Sequence, residues 1–486
     1  MLHETLAEEP YEQHPRIARN FAALAVSDIA AKLLALGAIV ILADNLGPGP
    51  FGNLSFALAI LSYFMLVPNA GLPLWGTREI ANGEAKTRHY VNNILTLRLT
   101  LAIVGFGLLA LLAIFLPQPL ETKRLLILFG LSLFPSALLF DWVFQGIQRM
   151  EFIGIARVLQ QVLYICLIFA LVKGPEQLLT VPMIYVAALC VASLFLVLFF
   201  VRRFGIPHLE FDFPLWKTSL RQALPMGFAF IMVQLYMNFD IIMLQFMRGE
   251  EEVGYYSAAY KITLFFIGVA IMYNHAIFPV ISRQFKTSVD AIRSLLSAST
   301  KLMVILALPL AVGGTLLARP IMNLLYGSKY DDGIIAFQLL IWVVAIIFVS
   351  ALYSHALIAC GRQNTYAKVE VTVGLLNLTL NFALIPLYGL TGAAIATLVT
   401  SVVGFSLMRR FFSQITPIPL WVYLPKPALG CIGMALFLYF CPDWNVALLV
   451  ISGAALYFLV LLLLGGVSRS DISLVWGQLR TQNKTT

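Results

Sequence analysis

Charge is what this chain has least of: Asp, Glu, Lys and Arg make up 12% of its 486 residues, about half the share of an average soluble domain. So few charges cannot cover a water-facing surface of ordinary size. Cysteine is scarce as well. Cys166, Cys190, Cys360, Cys431 and Cys441 sit in or at the ends of apolar stretches, with no CxxC and no histidine at ligand spacing. Buried free thiols are therefore expected, and neither a disulfide framework nor a metal centre. There is no Walker-type phosphate loop, no GxSxG, no HExxH and no paired carboxylates at a plausible cleft, so no enzyme is expected. The longest polar segments are the tail to Asn20, the loop from Arg202 to Arg221 and the tail after Val467. None can enclose a core of its own, whereas a membrane glycosyltransferase or polymerase would need a sizeable extramembrane loop. Arg-rich motifs interleaved with aromatics are also missing, so nucleic acid is not an expected partner.

What the chain does have is apolar length. Hydrophobic residues make up 60% of it and the mean hydropathy is +0.88. Stretches long enough for a helix to cross about 30 Å of hydrocarbon recur at residues 20–44, 51–73, 91–116, 125–146, 152–172, 178–201, 222–247, 253–281, 297–318, 334–358, 367–387, 390–408, 425–441 and 445–466. The expected fold class is an all-α membrane protein with fourteen transmembrane helices. The segment Met1 to Asn20 carries Glu4, Glu8, Glu9 and Glu12 ahead of Arg16 and Arg19, unlike the basic start of a cleaved signal peptide, and the first span is expected to be retained.

Basic residues give the orientation, because Lys and Arg in short loops stay cytoplasmic. With the amino terminus inside, twenty-two of the thirty-two basic residues fall on the cytoplasmic side and six on the other, while Lys32, Arg98, Arg157 and Lys261 lie inside spans. Both termini are predicted cytoplasmic. The net charge of +8 then reflects topology, helped by attraction to anionic membrane lipids.

The sequence also repeats. The run Phe51-Gly52-Asn53-Leu54-Ser55-Phe56-Ala57-Leu58-Ala59-Ile60 opens the second span and Val253-Gly254-Tyr255-Tyr256-Ser257-Ala258-Ala259-Tyr260-Lys261-Ile262 the eighth. Aligned at Gly52 and Gly254, the Gly, Ser, Ala and Ile positions match, six spans apart. This predicts a tail (1–20), six spans (21–201), a cytoplasmic linker (202–221), six more spans (222–412), two appended spans (413–466) and a tail (467–486). Two related halves with a substrate path between them are a common transporter plan.

Several motifs resemble those of bacterial oligosaccharide flippases of the Wzx type, in the multidrug/oligosaccharidyl-lipid/polysaccharide exporter (MOP) superfamily. They are Leu46-Gly47-Pro48 with Phe51-Gly52, Thr77-Arg78-Glu79-Ile80-Ala81, Asp141-Trp142-Val143-Phe144-Gln145-Gly146 with Arg149-Met150, and Asn238-Phe239-Asp240 ahead of Val253-Gly254. Tyr326-Gly327, Gly361-Arg362, and Asn381 through Ile385-Pro386-Leu387-Tyr388-Gly389 into Gly392-Ala393-Ala394 complete the series. Each is weak alone; their order along almost the whole chain is specific. The resemblance implies a MATE-like fold of two pseudo-symmetric six-helix lobes plus two helices, in the bacterial plasma membrane. It also implies a polyprenyl-diphosphate-linked glycan as substrate, turned from the cytoplasmic to the outer leaflet for O-antigen or another surface polysaccharide, with a polysaccharide polymerase and chain-length proteins as further partners. Two rivals stay open: a multidrug or metabolite cation antiporter of the same superfamily, whose lumen would be net acidic, and a flippase for lipid-linked peptidoglycan precursor.

A sugar diphosphate crosses hydrocarbon only through a polar lumen, so ionisable residues inside spans are the site candidates. Asp28 and Lys32, four apart on one helical face at about mid-depth, read equally as an intrahelical pair or as a lumen site. Asp240 and Lys261 lie at similar depth, where they could pair, and read equally as a clamp between adjacent helices or as lumen-facing groups. Arg98, Asp141 and Arg157 sit one to two turns inside their spans, two cations against one anion, which suits a diphosphate. Arg78 matches a motif position but lies where topology alone expects a cation. Glu370 reads as a rim charge beside Lys368. His275 and His355 read as single interior histidines. No cofactor is expected; a proton or sodium gradient, carried by Asp28, Asp240 or Glu370, or the membrane potential would supply energy. Pro68, Pro225, Pro279, Pro309 and Pro386 are expected to kink their helices.

Overall fold

A computed structural model of the protein describes residues 13–83, 87–285, 289–441 and 444–466. The tail after Val467 and its basic residues Arg469, Arg480 and Lys484 lie outside the described residues, as do Lys86, Lys286 and the acidic start of the amino-terminal tail. The helices in chain order are α1 (Gln13–Leu46), α2 (Pro48–Phe64), α3 (Leu66–Asn69), α4 (Leu72–Asn82), α5 (Thr87–Phe115), α6 (Leu120–Gly130), α7 (Leu133–Ala137), α8 (Asp141–Gly146), α9 (Met150–Leu171), α10 (Thr180–Phe204), α11 (Phe213–Met247), α12 (Glu250–Phe285), α13 (Val289–Leu316), α14 (Ala318–Tyr326), α15 (Ile334–Ala359), α16 (Gln363–Phe412), α17 (Leu420–Tyr423), α18 (Pro425–Phe440) and α19 (Val446–Leu463). The described regular structure is all helical, as lipid demands of a chain that must satisfy its own backbone groups. Twelve of these segments are long and apolar enough to cross a membrane.

The prediction of fourteen spans differs from that count at two elements. α16 is fifty residues long but holds Gly389 at φ 54°, ψ −133°, a left-handed region that favours glycine. Asn377, twelve residues before the break, donates to Thr400, eleven after it, at 3.4 Å. The chain therefore doubles back at Gly389 into two antiparallel legs along the predicted stretches 367–387 and 390–408. Backbone groups freed by the bend find partners in the α11–α12 corner. Arg248 donates to the carbonyls of Ile385 and Pro386 at 3.1 and 2.8 Å, and the Leu390 N–H donates to Glu252 at 2.7 Å, as polar backbone at a helix break requires. α11 runs through the seventh predicted stretch.

The second and fourth stretches are broken helices. Ala70 and Gly71, at φ 42° and 77°, separate α3 from α4, and α6, α7 and α8 divide the fourth. Let the face where α1 begins be the lower one and the face where it ends, at Leu46, the upper one. At the upper face α2 and α12 cross at the two glycines that the repeat aligns. A Cβ on Gly52 would collide with the carbonyl oxygen of Glu250, and one on Gly254 with that of Pro48. Since the repeat also pairs Pro48 with Glu250, each copy meets its counterpart reciprocally, as a pseudo-two-fold axis requires. Lower down, a Cβ on Gly71 would collide with the carbonyl of Ala223 in α11. α18 and α19 pack on α13, where the Tyr457 hydroxyl donates to the Ile305 carbonyl at 2.8 Å.

The linker between the halves is extended at the lower face and strapped to α5. Backbone N–H groups of His208, Glu210 and Asp212 donate to Asn92, Thr96 and Asn93 at 3.2, 3.0 and 3.0 Å. Alternate residues of an extended chain point one way, so three N–H groups meet three acceptors on one helix face. Glu210 also sits 2.7 Å from His89. Its carboxyl is held below the usual carboxylate range: partial burial opposes this, and hydrogen bonds from Asn92 and Asn93 and the neighbouring His89 outweigh it.

Candidate functional site

α1 and α9 run parallel. At the upper end Asn45 donates to the Val172 carbonyl at 2.8 Å, and far below it Arg157 approaches Asp28 at 3.5 Å. Beside the lower contact the two helices line a cavity of about 220 Å³ with Asp28, Ala31, Lys32, Ala35, Arg157, Gln160 and Gln161. The spacings i, i+3, i+4 and i+7 on α1 and i, i+3, i+4 on α9 put every lining residue on one face of its helix. The two alanines leave the room, and five polar side chains fill the rim.

Asp28 divides its carboxylate between two cations: one oxygen lies 2.7 Å from Lys32 Nζ, the other 3.5 Å from Arg157. The side chains of Lys32, Asp28 and Arg157 are 39%, 29% and 47% exposed, so this cluster, with one formal positive charge in excess, is not sealed off within its apolar span. Measured down from Leu46 at about 1.5 Å per residue, Lys32 and Asp28 lie about 21 and 27 Å below the upper end. The Lys32 ammonium reaches towards α12, where a Cβ on Gly268 would stand 3.3 Å from Nζ. Seven-residue steps carry that α12 face about 10 Å upward to Lys261 and about 10 Å downward to His275.

The other candidates are placed elsewhere. Arg98 does not reach the cavity. It is buried, and its guanidinium donates to Asn69 at 2.9 Å and to the carbonyls of Ser136 and Leu139 at 2.8 and 3.0 Å. It thus satisfies the acceptors freed where α7 ends. Asp141 accepts the Trp142 N–H at 2.9 Å at the start of α8 and lies near enough to Arg98 to act on its charge; of the expected trio it is Arg157 that stands apart, with Asp28 as its carboxylate partner. Arg78 is exposed at the lower end of α4, where it donates to Gln222 of α11 at 2.9 Å, and Trp75 donates to the same amide oxygen at 3.0 Å. Asp240 is buried and accepts from the Tyr256 hydroxyl and the Ile241 N–H. Lys261, half-buried on α12, lies near enough to Asp240 for the two charges to act on each other, while the carboxylate's hydrogen bonds go to Tyr256 and Ile241. Glu370 is exposed on the first leg of α16.

Two features were missed. Gln160 and Gln161 carried a signal, their spacing from Arg157, that was not used. His275 and His355, eighty residues apart in sequence, stack edge to face with centroids 5.8 Å apart; nothing in the sequence joins them. Among the described residues no group of three or more His, Cys, Asp or Glu is disposed to hold a metal ion.

Broken helices, reciprocal halves and a charged cavity define a multi-pass membrane protein of MOP-type fold. The chain belongs to the polysaccharide biosynthesis protein family, whose model matches residues 17–285, and the MatE family model matches residues 225–383. A protein of Escherichia coli (strain K12) named as an O-antigen transporter is 24% identical over 402 residues, 81% of this chain and 96% of that protein. Among solved structures, the lipid II flippase MurJ in an inward closed conformation superposes with a TM-score of 0.77 at 16% identity, over 92% of this chain and 99% of that one. A multidrug resistance MATE transporter in an inward-facing conformation follows with 0.65 at 17%, over 79% and 95%.

Proposed function

We propose that this protein moves a polyprenyl-diphosphate-linked oligosaccharide from the cytoplasmic to the outer leaflet of a bacterial plasma membrane by alternating access, for surface polysaccharide synthesis. The observation that carries the reading is the cavity in which Lys32 and Arg157 stand with Gln160 and Gln161. Two cations recognise a diphosphate, and neutral amides that both donate and accept suit sugar hydroxyls. Under the proposed topology the lower face is cytoplasmic, so the site lies at the depth where the headgroup of an inner-leaflet lipid would enter. The family and the name of the Escherichia coli relative point the same way. A net acidic lumen, which a cation antiporter would need, is not what the cavity offers.

Outward movement of an anion is favoured in a cell that is negative inside, by about 2.3 kcal/mol per charge per 100 mV. If a coupling proton or sodium ion is used, Asp240 is its carrier in this proposal, because its carboxylate is buried between α11 and α12. A polymerase and chain-length proteins would take up the product on the outer side.

The test is the double variant Lys32→Ala with Arg157→Ala in a strain lacking the native gene. Expected are normal insertion, lipid-linked glycan accumulating in the cytoplasmic leaflet, and surface glycan reduced by about 100-fold, the order of loss when charge-assisted contacts are removed. Undiminished surface glycan would refute the reading. Lysis on depletion of the native protein would point instead to the peptidoglycan precursor.

A further inference from the structure

We propose that the lower ends of α9 and α10 form a binding site for one anionic phospholipid, its phosphodiester held between Arg149 and Arg202 and its chains lying along the two helices. The site is built on an aromatic platform. Phe152, near the start of α9, and Phe199, near the end of α10, bring their ring centroids to 4.5 Å. The Arg149 guanidinium stands over the first ring at 6.0 Å and the Arg202 guanidinium over the second at 5.5 Å. Phe144 packs on Phe152 at 5.2 Å and Phe195 on Phe199 at 4.9 Å, so the platform is anchored in α8, α9 and α10. It is separate from the cavity, since Arg157, two turns further up α9, turns to Asp28 of α1.

Positive charge at this face follows from topology alone, and a long stem lets an arginine reach water from many positions. Topology does not require two guanidiniums to stand over touching rings. Each ring attracts its cation through the negative face of its π system, which orders two like charges beside each other before any ligand arrives and so lowers the cost of binding one. Glu151 approaches Arg149 at 3.8 Å through one oxygen, and its other oxygen is buried. Arg203 is turned to Phe204, at 5.3 Å. Arg149, Glu151 and Arg202 together carry one positive charge in excess, and both guanidiniums are exposed. A phosphodiester brings one negative charge and two free oxygens, which matches the excess and gives each planar guanidinium an acceptor. In a zwitterionic headgroup the ammonium cancels that match, and Glu151, with one oxygen on Arg149 and the other enclosed, is not free to receive it. Above the cations, Ile155 and Val162 on α9 and Leu194 and Leu198 on α10 are exposed, on the same sides of their helices as Phe152 and Arg202. Within spans such faces meet acyl chains. Cations at the foot of an apolar stripe suit a phospholipid, whereas a free phosphate would need the cations alone.

The experiment is native mass spectrometry of the purified full-length protein, released from detergent micelles holding phosphatidylglycerol and phosphatidylethanolamine of identical chains in equal amounts. The wild type is expected to retain one phosphatidylglycerol, at least about fivefold over phosphatidylethanolamine. In Arg149→Gln with Arg202→Gln, retention should fall about tenfold, the order of loss when charge-assisted contacts are removed. Arg409→Gln with Arg410→Gln, which removes the same charge from the last turn of α16 at the same face, should leave retention unchanged. Arg149→Lys with Arg202→Lys keeps the charge without the planar guanidinium and should lose about threefold or more. Equal retention of the two lipids by the wild type, or an equal fall in the two glutamine variants, overturns the inference, because the attraction is then diffuse. Displacement of the lipid by millimolar inorganic phosphate also overturns it, by showing a bare anion site. If the Arg149 and Arg202 glutamine variant is recovered unfolded, the lysine variant decides, and full retention there is the contrary result.

Discussion

Arg98 and Arg157 are alike in the sequence, each a guanidinium one to two turns inside a span, and unlike in the fold. Arg98 is enclosed and its donors go to Asn69 and to two carbonyls at the broken end of α7; Arg157 is half exposed in a cavity beside one carboxylate. Removing the first leaves buried acceptors unmatched at about 1–3 kcal/mol each, while an exposed pair is worth about 1 kcal/mol or less. Arg98→Ala should therefore lower the melting temperature in detergent strongly, and Arg157→Gln should barely move it while reducing surface glycan. Thermal unfolding of the two purified variants checks this; equal melting temperatures would contradict the assignment of roles.

At the scale of elements, glycine decides where helices touch. Gly52 and Gly254 let α2 and α12 cross so closely that any side chain would strike the carbonyl of the other copy. A β-branched residue there must push the helices apart, because backbone, unlike a flexible side chain, cannot yield cheaply. Gly254→Val is expected to open the upper crossing. Cysteines placed at Leu46 and Lys329, flanking the contacts of Lys329 with Asp44 and Tyr330 with Ala43, should cross-link with a short reagent in the wild type and several-fold less in the variant. Equal cross-linking would show that the crossing does not hold this face shut. The strap is the other element-scale device. Asn92 and Asn93 are buried polar residues on α5 whose acceptors are used by the linker backbone, which explains amides in an otherwise apolar stretch.

For the whole molecule, the distribution of basic residues predicts that the strap faces the cytoplasm and the loop at Pro175–Gln177 the outside. In a variant without native cysteines, Leu209→Cys and Glu176→Cys, both exposed positions, should react with an impermeant thiol reagent from opposite sides: Glu176→Cys in intact cells, Leu209→Cys only after lysis. Labelling of Leu209→Cys in intact cells would invert the topology.

The class of fold and the repeat were legible in the linear chain because hydrocarbon imposes its thickness on any spanning helix and leaves a direct trace in run length, and because duplicated halves keep matching glycines where backbones must meet. The all-helical architecture and the Gly52 and Gly254 alignment followed from those traces. Partners of the rare charges were not legible. Asp28 and Lys32 were joined by spacing alone, but that Arg157 completes the cluster, that Arg98 is consumed by broken-helix carbonyls, that Tyr256 takes Asp240 and that two distant histidines stack depended on which helix faces lie together. Each span is apolar nearly all round, so its periodicity does not say which side meets which neighbour. Only the packed bundle settled it, since a buried donor or acceptor takes the partner that geometry brings within hydrogen-bond reach.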